Sequence, residues 1–214
     1  NKASVKVFNK DDYVIIPITS TDKPKVPEDI INKWQKILNL IAKLINIPAA
    51  LIMKLETKHI SVFLASENKE NPYVEGEKAE LLSGLYCETV VGSGEKLQIS
   101  NALKDDNWKD NPDIKLNMIS YLGFPIAWPD REIFGTICIL DTKENYYSEE
   151  ITELLYTYKD SINNDLKILL ENTRLSRLNE ELDKAKKEKE LLIKEIHHRT
   201  KNNFNLINAI LYLH

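Results

Sequence analysis

The chain has 214 residues, 43% of them apolar and 29% charged, with a net charge of −4. That is enough for one globular domain with a helical extension, or for two small domains. Lys and Arg are interspersed with Asp and Glu, so no electrostatic footprint for nucleic acid is present.

Two cysteines, Cys87 and Cys138, make no disulfide framework and fit a reducing compartment with free thiols. No apolar run approaches the roughly 20 residues of a membrane helix, and no signal peptide is visible. The expected location is cytoplasmic, with room for a membrane segment upstream. The start at Asn1 and the stop at His214, inside an apolar helical pattern, are expected of a piece of a longer protein.

Residues 1–27 read as an N-terminal arm, in which Tyr13-Val14-Ile15-Ile16-Pro17-Ile18 is either an edge strand or an ordered extension. After Pro27, Ile30, Trp34, Ile37, Leu38, Ile41, Leu44 and Ile45 recur at helical spacing, and Asn46-Ile47-Pro48 ends the helix. Residues 49–56 and 58–66 read as a strand hairpin. Residues 76–82 are expected to be a helical turn or loop. Residues 84–91 continue as helix, broken at Gly92-Ser93-Gly94. That triplet is a turn rather than a phosphate loop, because no Gly-Lys-Ser/Thr follows.

Leu97-Gln98-Ile99 is a short strand. Residues 101–117 form a long polar loop of the kind that carries function. Its acidic stretch from Asp105 to Asp113 is read as solvated in preference to cation-binding, so no metal site is expected. Residues 119–127 and 134–140 are strands joined by a turn at Pro129-Asp130. The pattern predicts an α+β domain over residues 28–170, with about five strands and a helix before and after.

The last Pro is Pro129 and the last Gly is Gly135, so a helix can run uninterrupted beyond them. Ser148 is its expected N-cap, with Glu149 and Glu150 in the first turn. Ile151, Leu154, Leu155, Tyr158, Ile162, Leu166 and Leu169 form an apolar face fit to cover the sheet.

Beyond it, sixteen of the thirty-one residues from Glu171 to Lys201 are charged. The apolar positions thin to Leu175, Leu178, Leu182, Ala185, Leu192 and Ile196, with Lys189 in one seam position. This seam of about three to four heptads favours a parallel two-stranded coiled coil, hence a homodimer, over a single solvated helix. Residues 171–194 are therefore read as a coiled-coil signalling helix. The broader stripe from Phe204 through Leu206, Ile207, Ile210, Leu211 and Leu213 suits a four-helix bundle, so residues 195–214 read as the start of a dimerisation domain.

Within that last segment stands Glu195-Ile196-His197-His198-Arg199-Thr200-Lys201-Asn202-Asn203-Phe204. A neutral imidazole is a good nucleophile, and phosphoryl transfer needs chiefly positioning and charge neutralisation. Glu195 and Asn202 share a face with His198. Glu195 is the candidate base or orienting group, and Arg199 and Lys201 are candidates to steer an anionic donor. Taken by itself, a His-His pair on a charged helix is usually solvated surface. One metal cannot easily take both rings, because adjacent helical positions diverge by about 100°.

This box resembles the phosphoacceptor signature of sensor histidine kinases of the HisKA_2 type, related to the HWE kinases. The resemblance covers roughly residues 190–214. It implies that His198, immediately before Arg, is the phosphoacceptor and His197 a neighbour. Phosphate would come from ATP with Mg, bound by a domain outside these residues, and would pass to an aspartate of a response regulator. Thr200 stands where Val is frequent and Phe204 where Leu is frequent. Arg199 replaces the acidic residue that follows the phosphoacceptor in commoner histidine kinases.

The preceding segment also resembles a family. Gly84-Leu85-Tyr86-Cys87-Glu88-Thr89-Val90-Val91, Asn101-Ala102-Leu103-Lys104-Asp105-Asp106, Asn111-Pro112, Ile119–Ile126 and Phe134–Asp141 resemble successive blocks of a GAF domain. That implies an antiparallel sheet with helices on one side and a pocket for an unidentified small ligand on the other. Candidate pocket residues are Tyr86, Cys87, Trp108, Met118, Tyr121 and Phe124, each weighed against ordinary core packing. Cys87 is a candidate redox sensor or thioether anchor, with a buried inert thiol the preferred reading. It lacks the Cys-His neighbour typical of bilin attachment. A non-enzymatic GAF binding module that dimerises through its helix is the competing reading.

Overall fold

The computed structural model describes residues 23–211. The expected segment around Tyr13–Ile18 lies outside them. The chain divides into two compact units, Asn1–Leu169 and Leu170–His214.

In the first unit, α1 (Glu28–Ile45) is followed by the hairpin β1 (Ala49–Leu55) and β2 (His59–Ala65). Then come β3 (Lys78–Glu80), α2 (Tyr86–Ser93), β4 (Leu97–Ile99), β5 (Ser120–Ala127), β6 (Ile133–Asp141) and the start of α3 (Glu149–Leu211). The strands form one antiparallel sheet in the order β3-β2-β1-β6-β5-β4.

The sheet has six strands, not about five, because β3 lies where residues 76–82 were expected to be a helical turn or loop. Its Lys78, Ala79 and Glu80 pair with Ser61, Ile60 and His59 at the sheet edge. The acidic-basic hairpin turn between β5 and β6 falls at Pro129-Asp130 as expected, with Arg131 at φ 69°. The long loop contains two 3-10 turns, Ala102–Lys104 and Pro112–Leu116.

Side chains alternate along a strand, and the register turns that alternation into two apolar faces. On one face Trp34 of α1 meets Phe63 and Phe134 edge-on, at centroid distances of 6.2 and 5.9 Å. Leu155, Ile162 and Leu166 of α3 are fully buried. Asp165 ties the two helices together, accepting from Trp34 Nε1 and Lys33 Nζ, each at 2.8 Å. Ser148 accepts from the Ile151 N–H at 3.4 Å, capping α3.

On the other face Leu51, Met53, Ile60, Val62, Tyr121, Cys138 and Leu140 build a second core beneath α2 and the long loop. Gly135 is required in β6, since a Cβ there would collide with the Met53 carbonyl of β1.

In the second unit α3 continues to Leu211, and every residue from 171 to 205 is exposed. The seam residues Leu175, Leu178, Leu182, Leu192 and Ile196 are 50–66% exposed in the single chain. No helix of the described residues is long and apolar enough to cross a membrane.

Candidate functional site

The second core contains five of the predicted pocket residues, Tyr86, Cys87, Trp108, Met118 and Tyr121, as close-packed members. Tyr86 stacks obliquely on Trp108 and Tyr121, at centroid distances of 5.3 and 4.9 Å. Its hydroxyl donates to the Met118 carbonyl at 3.4 Å. Tyr121 lies flat over Gly123, two residues on in the same strand, where any Cβ would strike its hydroxyl end. That hydroxyl donates to Cys87 Sγ at 3.5 Å, and Cys87 Sγ lies 3.7 Å from Cys138 Sγ. Both thiols are free and buried, and burial pushes that of Cys138 well up.

Phe124 does not join this group. It faces the opposite side of the sheet, edge-on to Tyr156 of α3 at 5.6 Å. Residues three apart on a strand point to opposite faces, so Tyr121 and Phe124 cannot line one pocket.

A cavity of about 160 Å³ remains between this face of the sheet and the turn Pro112–Leu116. Leu51, Met53, Ile60 and Val62 form its floor, Leu85, Pro112 and Leu116 its roof, and Glu77 and Lys78 stand at its edge. Of the predicted pocket residues, Cys87 lines it.

Its polar wall is Asp113, which is 6% exposed and so not part of the solvated loop expected from the sequence. Tyr73 donates to Asp113 Oδ1 at 2.8 Å. Burial raises the Asp113 carboxyl from 3.8 to about 6, against the Tyr73 hydrogen bond, which lowers it. Burial also raises Tyr73 far above its ordinary value, so the phenol stays a donor.

The loop around Asp113 is built for placement. Asn111 accepts from the Asp113 N–H at 2.9 Å and donates to the Gly84 carbonyl at 2.8 Å, pinning the turn to the entry of α2. A second buried carboxylate, Glu88, accepts from Ser83 N and Oγ and from Gly84 N, so its charge is met locally. Gly84 reaches this position with φ +89°, which favours glycine. Among the described residues no group of three or more His, Cys, Asp or Glu is placed to hold a metal.

In the second unit His197 and His198 are exposed on α3. Glu195 accepts a hydrogen bond from Arg199, one turn on, rather than from the His198 ring. Thr200 Oγ1 donates back to the Ile196 carbonyl at 2.8 Å. Asn202 is exposed on the same helix.

An antiparallel sheet with α1 and the start of α3 on one face, and α2, the long loop and a small cavity on the other, is the α+β architecture of a sensory, ligand-binding module of the kind found in signalling proteins. A family model for the GAF domain matches residues 34–157, more than half of the chain, and the chain belongs to the GAF domain family.

Solved structures of the same fold include the phycoerythrobilin-bound GAF domain of a cyanobacterial phytochrome. Its TM-score is 0.56 at 12% identity, over 70% of this chain and 89% of that one. The GAF region of a putative membrane protein from Geobacter sulfurreducens PCA gives 0.54 at 17%, over 65% and 94%. The GAF domain of an Acinetobacter phosphoenolpyruvate-protein phosphotransferase gives 0.50 at 18%, over 62% and 78%. No curated protein matches the chain.

Proposed function

We propose that the chain is the sensory and phosphoacceptor portion of a two-component sensor histidine kinase. The GAF cavity binds a small ligand, a dimeric coiled coil carries the signal, and His198 accepts the phosphoryl group. The observation that carries this reading is the Glu195–Phe204 box, with His198 exposed on a long helix beyond the sensor fold.

In the transfer an imidazole nitrogen of His198 attacks the γ-phosphorus of ATP. The bond to the ADP oxygen breaks, and the ring sheds its proton. The nucleotide would be held by a domain outside these residues, and a response-regulator aspartate would then take the phosphoryl group. Arg199, which donates to Glu195, would offset charge on the incoming donor.

Labelling the chain joined to its own ATP-binding domain with γ-labelled ATP tests this reading. His198→Gln should abolish histidine-bound label, while His197→Gln should retain it. Label persisting in His198→Gln rejects the assignment.

The competing reading is a GAF binding module that dimerises without phosphotransfer. It is favoured by the family match ending at residue 157, well before the histidines. Full-length protein that binds ligand yet takes no label in any variant would support it.

A further inference from the structure

We infer that the cavity beneath the turn Pro112–Leu116 binds a small protonated amine carried on an apolar body, with the Asp113 carboxylate as its ion-pair partner. The inference rests on the reading of this cavity as the domain's ligand site.

Size sets the first limit. A cavity of about 160 Å³ is close to the ~150 Å³ that accommodates benzene and far below the ~300–1,000 Å³ of ordinary cofactor pockets. A ring with a short side chain fits, whereas a nucleotide or a linear tetrapyrrole does not. The floor of Leu51, Met53, Ile60 and Val62 offers such a body an apolar surface.

Charge sets the second. Asp113 is buried, its Oδ1 receives Tyr73, and among the described residues no hydrogen bond reaches Oδ2. A buried carboxylate without a cation is costly, and a charged donor is the group that offsets it best. The nearest candidate within the chain, Lys78 at the cavity edge, is held by Glu56 at 2.7 Å. Glu88, a second buried acid, is hydrogen-bonded within its own loop and adds to the negative field at Asp113. The interior therefore attracts a cation and repels carboxylates and phosphates.

The test is calorimetry on the purified chain at neutral pH with phenethylamine, its neutral isostere propylbenzene, and 3-phenylpropionate. Phenethylamine should bind at least about tenfold more tightly than propylbenzene, the scale of one charge-assisted hydrogen bond, and phenylpropionate should not bind. Asp113→Asn keeps an acceptor for Tyr73 and should reduce phenethylamine to the propylbenzene level while leaving propylbenzene unchanged. Val62→Phe, which fills the cavity from the sheet, should remove both.

Equal binding of amine and hydrocarbon, or tight binding of the carboxylate, overturns the amine inference and leaves the pocket reading standing. Failure of all three compounds to bind the folded chain overturns both.

Discussion

Asp113 stands out at the residue scale because its burial works against the fold. An acid raised from 3.8 to about 6 favours the folded state only while it is protonated. Its contribution is full below the unfolded-state value near 4 and is lost as pH rises through about 6. At ~1.4 kcal/mol per pH unit the loss is about 3 kcal/mol. Asp113→Asn removes the charge and keeps an acceptor for Tyr73. The variant should match the parent near pH 4 and exceed it by about 1–3 kcal/mol at pH 8. Urea denaturation of both proteins across that range measures the gap. A gap that does not widen with pH would refute the burial argument. A group retained at such a cost fits a binding role better than a structural one. The sequence hid it: four acids in one loop look solvated, and the partner that buries Asp113 is Tyr73, forty positions away.

At the scale of elements, the fold was legible wherever a period of one kind ran unbroken. The spacing of Trp34, Leu38 and Ile41 made α1 readable, and those side chains are buried. β3 was not readable, because Lys78-Ala79-Glu80 carries a single apolar residue and owes its conformation to pairing with β2. Apolar character groups Phe124 with Tyr121, whereas their odd separation along β5 puts it on the opposite face, against Tyr156.

The same strand carries the tightest constraint on the pocket side. Tyr121 occupies the space above Gly123, and its ring supports both Tyr86 and Cys87. Gly123→Ala should cost about 1–3 kcal/mol by driving that ring from its site. In a Tyr121→Leu background the same change should be nearly neutral, because the clashing ring is gone. A double-mutant cycle in urea would return a large coupling if this packing is correct, and additivity would contradict it.

For the whole molecule, the sensor unit and the helical unit pose different energetic problems. The sensor unit buries its own core on both faces of the sheet. The helical unit, Leu170–His214, presents an apolar seam that a single chain leaves in water. Isolated helices draw little stability from propensity, and most of it in proteins comes from packing an amphipathic face. The seam at Leu175, Leu178, Leu182 and Ile196 has the three-and-four spacing that the proposed parallel dimer would bury.

Each seam Leu that goes from about 60% exposed to buried in the proposed dimer should contribute on the order of 1–2 kcal/mol. Leu178→Lys with Leu182→Lys also places like charges across the two-fold axis, so the pair should shift a micromolar sample from dimer to monomer. Light scattering coupled to size exclusion reads that shift, and far-UV circular dichroism should show helix lost from the second unit alone. Near-UV signals from Trp34, Trp108 and Trp128, all buried in the first unit, should be unchanged. A variant that stays dimeric would move the interface off this seam and remove the coiled coil as the route between the cavity and His198.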